Sequence, residues 1–205
     1  MKYDINHEFV SISSQSAKHR LILIHGWGSD ADDLLSIGEQ IIEISTVDFE
    51  VISLRAPGLH PNNVGRQWYS LYPPDWNEAE NAVKELILTL KKMDALSIPL
   101  KKTILLGFSQ GAAMAIDAGC DLDLGLIISC SGYPHPNWKP QQNCPPVLIS
   151  HGLKDEVVPI SASRNIYQKI KSISPNYCEF NEFDGSHEID PNLTKYINSK
   201  IKELS

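Results

Sequence analysis

The sequence predicts an α/β fold with a mostly parallel central sheet and helices on both of its faces. Three observations carry this. Short apolar runs at 20–24, 50–54, 103–106, 125–130 and 146–150 lack polar alternation, as strands buried on both faces do. Amphipathic helical spacing lies between most of them, which is the pattern of a sheet built from strand–helix–strand units. The 205 residues show no composition break, linker or internal repeat, so the chain reads as a single domain over 1–205.

Residues 9–12 read as an edge strand. The run 20–24 ends in His25-Gly26-Trp27-Gly28-Ser29-Asp30. Two glycines there fit either a backbone bent so that its amides face a cavity, or a plain strand-to-helix loop. Leu34, Leu35, Gly38, Ile41 and Ile42 then follow helical spacing, and Asp30, Asp32 and Asp33 suit a helix start. After the strand at 50–54 comes a long loop, roughly 59–77. Loops of this length that carry their own aromatics are often functional. Its Trp68, Tyr69, Tyr72 and Trp76 either wall an apolar pocket or anchor the loop to the core.

Ala79, Ala82, Val83, Leu86, Ile87 and Leu90 form an amphipathic helix that ends near Met93. Beyond the strand at 125–130 lies a proline-rich loop at 133–146. The strand at 146–150 leads into His151-Gly152-Leu153-Lys154-Asp155-Glu156-Val157-Val158-Pro159. Ala162, Ile166, Ile170 and Ile173 mark a helix, and the alternating residues 177–183 a strand nearer the sheet edge. Asp190 as N-cap and Pro191 in first position open the last helix, whose stripe is Leu193, Tyr196, Ile197, Ile201 and Leu204.

Composition narrows the function. Hydrophobic content is 42% and charged content 21%, as in a globular protein, and the formal charge of −7 argues against nucleic acid as a partner. No run approaches the ~20 apolar residues of a membrane helix, so no integral membrane association is expected. Met1-Lys2-Tyr3-Asp4-Ile5-Asn6 does not resemble a signal peptide. Cys120, Cys130, Cys144 and Cys178 are scattered, which favours reduced thiols and a cytoplasmic home. Neither the cysteines nor the histidines have metal-ligand spacing, so no metal is expected. Oligomeric state is left open.

The chemistry gathers at Gly107-Phe108-Ser109-Gln110-Gly111, between an apolar run and the small residues Ala112, Ala113 and Ala115. A strand that becomes a helix within three residues needs little side-chain volume around the turn. The serine at its tip is then held in a strained conformation at the positive end of a helix. A serine hydroxyl needs a base. His187, on the loop after the last strand, is the candidate, and Asp155 would orient it. Glu156 and Asp184 rival the aspartate; His25, His60, His135 and His151 rival the histidine. His25 and His151 each follow a strand and precede a glycine, which suits loop-bracing hydrogen bonds. An oxyanion needs preorganised donors. The Gln110 backbone N–H is one candidate, and Trp27 in the glycine loop is the other.

Gly107-Phe108-Ser109-Gln110-Gly111-Ala112, the 25–30 loop, the 151–159 segment and Ser186-His187-Glu188-Ile189 together resemble the phospholipase/carboxylesterase family of small α/β-hydrolases, which includes the acyl-protein thioesterases. The resemblance runs from about Leu21 to the end of the chain. It implies an α/β-hydrolase fold with little or no lid and a cofactor-free hydrolase of esters or thioesters. It also implies Ser109, Asp155 and His187 as triad, with the Trp27 and Gln110 amides as oxyanion hole. Arg66, Gln67, Trp68 and Tyr69 sit where the family places its substrate-binding loop. Trp27-Gly28-Ser29-Asp30 departs from the Leu-Gly-Asp usual in acyl-protein thioesterases, and Ser186 replaces the glycine usual before the histidine.

The leading expectation is a serine carboxylesterase for short to medium acyl chains, acting on a small-molecule acyl ester or thioester. A thioesterase or lysophospholipase for longer chains is the alternative. From another class, a non-catalytic binding module on the same fold would keep the pocket without turnover.

Overall fold

The computed structural model describes residues 7–13, 16–45, 47–173 and 178–201. Its centre is a seven-stranded sheet, made of β1 (Phe9–Ser13), β2 (His19–Ile24), β3 (Phe49–Leu54), β6 (Thr103–Phe108), β7 (Leu126–Cys130), β8 (Val147–Gly152) and β9 (Cys178–Phe183). The order across the sheet is β1-β3-β2-β6-β7-β8-β9. Only β1 runs antiparallel, on β3; every other pair is parallel. Two short strands, β4 (Gly58–Leu59) and β5 (Arg66–Gln67), form a separate antiparallel pair.

Each central strand feeds two cores, because successive side chains point to opposite faces. Ile22, Ile24, Ile52, Leu105, Ile127 and Ile149 face one side. There they meet α2 (Trp76–Asp94), α3 (Gln110–Gly119) and α4 (Ile160–Ile173) through Leu86, Met114 and Ile166. Leu21, Leu23, Val51, Leu106 and Ile128 face the other side, where Ile41 of α1 (Leu35–Ile44) and Ile197 of α5 (Leu193–Ile201) cover them. Burial on both faces is why these runs carry no polar alternation. Cys120, Cys130, Cys144 and Cys178 are all free and buried.

Several boundaries differ from the sequence reading. The aspartates at 30–33 open a 3₁₀ turn, Ala31–Leu34, before α1. Asp30 accepts from the Ala31 N–H at 2.6 Å and Asp33 returns a bond to the Asp30 N–H at 2.8 Å. Helix α2 starts at Trp76, capped by Asp75, so this tryptophan stands in a helix rather than in the long loop. The last helix starts at Leu193, not Pro191. Asp190 spends its carboxylate on the Asn192 N–H at 2.8 Å and on Asn181 Nδ2 at 2.7 Å, making a turn before the helix. His151 and Gly152 belong to β8. Residues 1–6, Tyr177 and Leu204 lie outside the described residues.

One close approach positions the site. Helix α3 runs back over the ends of β2 and β6, and a side chain at Gly111 would collide with the carbonyl oxygens of Ile24 and His25. Gly111→Ala should therefore cost about 1–3 kcal/mol through overpacking, read as a lowered urea midpoint. An unchanged midpoint would mean that α3 shifts aside freely.

Candidate active site

Ser109 stands between β6 and α3 with φ 54° and ψ −117°. This is left-handed backbone that a non-glycine residue adopts only under constraint. The constraint is on both sides: the Ser109 N–H donates to the Cys130 carbonyl at 2.9 Å, and a Cβ at Gly107 would strike the Gly111 carbonyl. The turn thrusts the hydroxyl outward, and Ser109 Oγ lies 3.0 Å from His187 Nε2.

His187 follows β9 and is 19% exposed. Its Nδ1 lies 2.8 Å from Asp155 Oδ2. The carboxylate only accepts, so Nδ1 carries the proton and Nε2 is left as acceptor for the serine O–H. Phe108 packs on the imidazole with ring centres 4.9 Å apart.

Asp155 follows β8 and its side chain is fully buried. Burial pushes its carboxyl up. The His187 bond and the N–H groups of Val157 and Val158, 2.9 and 2.8 Å from Oδ1, pull it down further, so the net shift is downward. The rivals are exposed or turned to other partners, except that His151 Nε2 also lies 3.2 Å from Asp155 Oδ2. Asp184 pairs with Lys154 at the surface, and Glu156 is exposed. His25 accepts the Ala56 N–H at Nε2, and His151 bonds Ser163 Oγ and the Val158 carbonyl. His60 packs against Trp27.

The 25–30 loop folds against the nucleophile: a Cβ on Gly26 would lie 3.3 Å from Ser109 Cβ. Among the described residues, no acceptor bonds the backbone N–H of Trp27 or of Gln110. The latter sits in the first turn of α3, where N–H groups have no partner within the helix.

The four residues expected in a substrate-binding loop make contacts of their own within the fold, and Gln67 also lines an adjoining cavity with Leu71, Tyr72 and Trp76. Arg66 pairs with Ser29 and Gly28 through its backbone. Gln67 Oε1 accepts the Trp27 indole N–H at 2.9 Å. Trp68 is 2% exposed, and its indole donates to the His25 carbonyl at 2.9 Å. Tyr69 is fully buried. Beside Ser109 lies a cavity of about 710 Å³ lined by Leu71, Tyr72, Trp76, Tyr133 and Val157 among others, and none of Arg66, Gln67, Trp68 and Tyr69 lines it. The aromatic loop thus does both jobs left open by the sequence. Trp68 and Tyr69 anchor it, while Tyr72 forms wall together with Trp76 at the start of α2. Aromatic size favours deep burial when an N–H or O–H finds a partner, as here.

Sequence reasoning missed two contributors. The Gln110 side chain is buried and joins α3 to the loop: Oε1 accepts the Trp68 N–H at 3.0 Å and Nε2 donates to the Tyr69 carbonyl at 2.8 Å. Tyr133 lines the cavity. Its place just past β7, on the same edge as Ser109, was the available signal.

Residues 5–205 match the profile of a family described as phospholipase/carboxylesterase. The chain belongs to this family. Among relatives, acyl-protein thioesterase 1 of Eremothecium gossypii is 25% identical over 90% of this chain and 87% of its own. Acyl-protein thioesterase 1 of Saccharomyces cerevisiae is 25% identical over 95% of this chain and 96% of its own. The solved structure of esterase PE8 superposes with a TM-score of 0.86 at 28% identity, covering 98% of this chain and 100% of that one. The Bacillus cereus carboxylesterase, at a TM-score of 0.82 and 16% identity over 98% of this chain and 96% of that one, shares the fold. The family is one of α/β-hydrolases that cleave esters. Among the described residues, no group of three His, Cys, Asp or Glu is placed to hold a metal ion, and no helix is long and apolar enough to cross a membrane.

Two outcomes test this geometry. Gln110→Ala strands the Trp68 N–H and the Tyr69 carbonyl in the core and should cost about 1–3 kcal/mol in urea unfolding. The downward shift of Asp155 contributes stability that is complete above the ordinary carboxylate range, about pH 4, and is lost as pH falls through the folded value. The stability gap between wild type and Asp155→Asn should therefore narrow on acidification from neutral pH to about pH 3.

Proposed function

We propose that the protein is a serine carboxylesterase for short to medium acyl chains. The observation that carries this is the unbroken chain from Ser109 Oγ through His187 to buried Asp155, set on a strained turn. Ser109 attacks the ester carbonyl as His187 Nε2 takes its proton. Asp155 holds the imidazole in the correct tautomer and stabilises its charge. The backbone N–H groups of Trp27 and Gln110 receive the developing oxyanion, each worth about 3–4 kcal/mol in such sites. His187 then returns the proton to the leaving oxygen, and the acyl group stays on Ser109. Water, activated by the same imidazole, attacks the acyl-enzyme and frees the acid.

The mainly apolar wall beside Ser109 supports an acyl group as the ligand, and its size of about 710 Å³ suits a small molecule. A second reading is favoured by the two fungal relatives, which are named acyl-protein thioesterases. The same machinery cleaves thioesters, since a thiolate leaves with less help from the imidazole.

Wild type and Ser109→Ala exposed to a fluorophosphonate probe, then assayed on p-nitrophenyl esters of two to twelve carbons, test both readings. We expect labelling in wild type only, a loss of about 10³–10⁶-fold in kcat for Ser109→Ala, and an optimum at short to medium chains. An optimum at the long end, with higher kcat/KM on acyl thioesters, would favour the thioesterase. Folded wild type that resists the probe would sink the serine mechanism.

A further inference from the structure

Beside the nucleophile stands a second hydrogen-bonded chain that the proposed mechanism leaves unused. Tyr133 Oη lies 2.6 Å from Tyr69 Oη. Tyr69 Oη lies 2.9 Å from His135 Nε2, and His135 Nδ1 lies 2.7 Å from Asp117 Oδ2. Tyr69 and His135 are buried; only Tyr133, at the far end, lines the cavity with Ser109.

The chain has a direction. The Asp117 carboxylate accepts only, so His135 Nδ1 carries a proton. In the neutral tautomer Nε2 offers only a lone pair, to which Tyr69 can donate its O–H. The Tyr69 oxygen is left to accept the O–H of Tyr133. Both phenols keep their protons: burial pushes Tyr69 far above its ordinary value and Tyr133 up to about 12. In that arrangement every proton in the chain points away from the cavity, which leaves the Tyr133 oxygen only lone pairs to offer a ligand. The cavity that Tyr133 lines is largely apolar, with Leu71, Trp76, Val157 and Pro159 beside the polar Ser161 and Asn165. In such a wall a single placed polar group discriminates strongly, because an acceptor meeting an acceptor leaves both unpaired.

We propose that Tyr133 is a specificity-determining residue that accepts a hydrogen bond from the substrate. The site would then select esters carrying a hydroxyl or similar donor near the scissile bond over those carrying only acceptors there. Tyr69, His135 and Asp117 act through Tyr133 as positioning residues. This rests on the serine esterase reading above, and names the substrate class of that site.

Two matched substrate pairs test it with wild type, Tyr133→Phe and Tyr69→Phe. The 2-hydroxyethyl and 2-methoxyethyl esters of butyric acid probe the alcohol side. Ethyl 3-hydroxybutyrate and ethyl 3-methoxybutyrate probe the acyl side. Wild type should favour the hydroxyl member of at least one pair by about five- to tenfold in kcat/KM, the worth of one net hydrogen bond. Tyr133→Phe should bring that ratio to about one, with a cooperative urea unfolding transition showing that the variant folds. Tyr69→Phe should lower the ratio as well, because the Tyr133 O–H is then free to turn into the cavity. A wild-type ratio near one in both pairs, a methoxy preference, or a ratio that survives Tyr133→Phe would overturn the inference. Fluorophosphonate labelling alongside separates the two readings. A labelled wild type with any of those ratios removes the role of Tyr133 alone, and an unlabelled one removes the serine mechanism and this role with it.

Discussion

Helix α3 lies so close to the ends of β2 and β6 that no side chain fits at positions 107 and 111. The rest of the site depends on this contact. It forces the chain to turn from strand to helix at one residue, and Ser109 takes the strained φ of 54°. The strain of order 1–3 kcal/mol at such a residue is held by packing on both sides and by the Ser109 N–H bond to Cys130. The same contact brings the carbonyl ends of β2 beside the start of α3. The 25–30 loop and the first turn of α3 therefore share one wall of the site.

That wall is braced from behind by buried polar groups. The Gln110 side chain clamps the backbone at Trp68 and Tyr69, the Trp68 indole ties to the His25 carbonyl, and His25 holds the Ala56 N–H. Burial lowers the proton affinity of His25, with a partly opposing bond from its ring to Gly26, which suits its role as acceptor at Nε2. Buried donors and acceptors are costly when unpaired, so a fully paired cluster has one arrangement. Donors for an oxyanion gain most when they need not reorganise, and the proposed role of the Trp27 and Gln110 amides calls for such bracing.

The carboxyl edge of the sheet carries two Asp–His units with different ends. Asp155 and His187 lead to the Ser109 hydroxyl, and Asp117 and His135 lead to the phenols of Tyr69 and Tyr133. Both imidazoles are oriented the same way, by a carboxylate at Nδ1. What differs is the group at Nε2: a hydroxyl that can leave its proton behind, or a phenol that burial keeps protonated. The same Asp–His geometry thus presents two different polar groups, Ser109 and Tyr133, to one cavity.

The sequence by itself determined the sheet, its two-sided burial and the turn at Ser109, because these rest on local rules. Unbroken apolar runs report strands covered on both faces, and glycines flanking a serine report a strand-to-helix turn. Chain order also pointed to His187, which follows the last strand, while Asp155 kept Glu156 and Asp184 as rivals until the family resemblance was drawn. Tertiary structure decided what local rules do not reach. Trp68 and Tyr69 read the same as Tyr72 and Trp76 in a row of aromatics, and only packing sends the first pair inward and the second to the cavity. Asp190 reads as a helix cap until Asn181 on β9 claims its carboxylate. Asp117, His135, Tyr69 and Tyr133 come from a helix and two loops, and no spacing along the chain records their meeting. A hydrogen bond depends on distances of a few tenths of an ångström, and these are set only when the two cores pack.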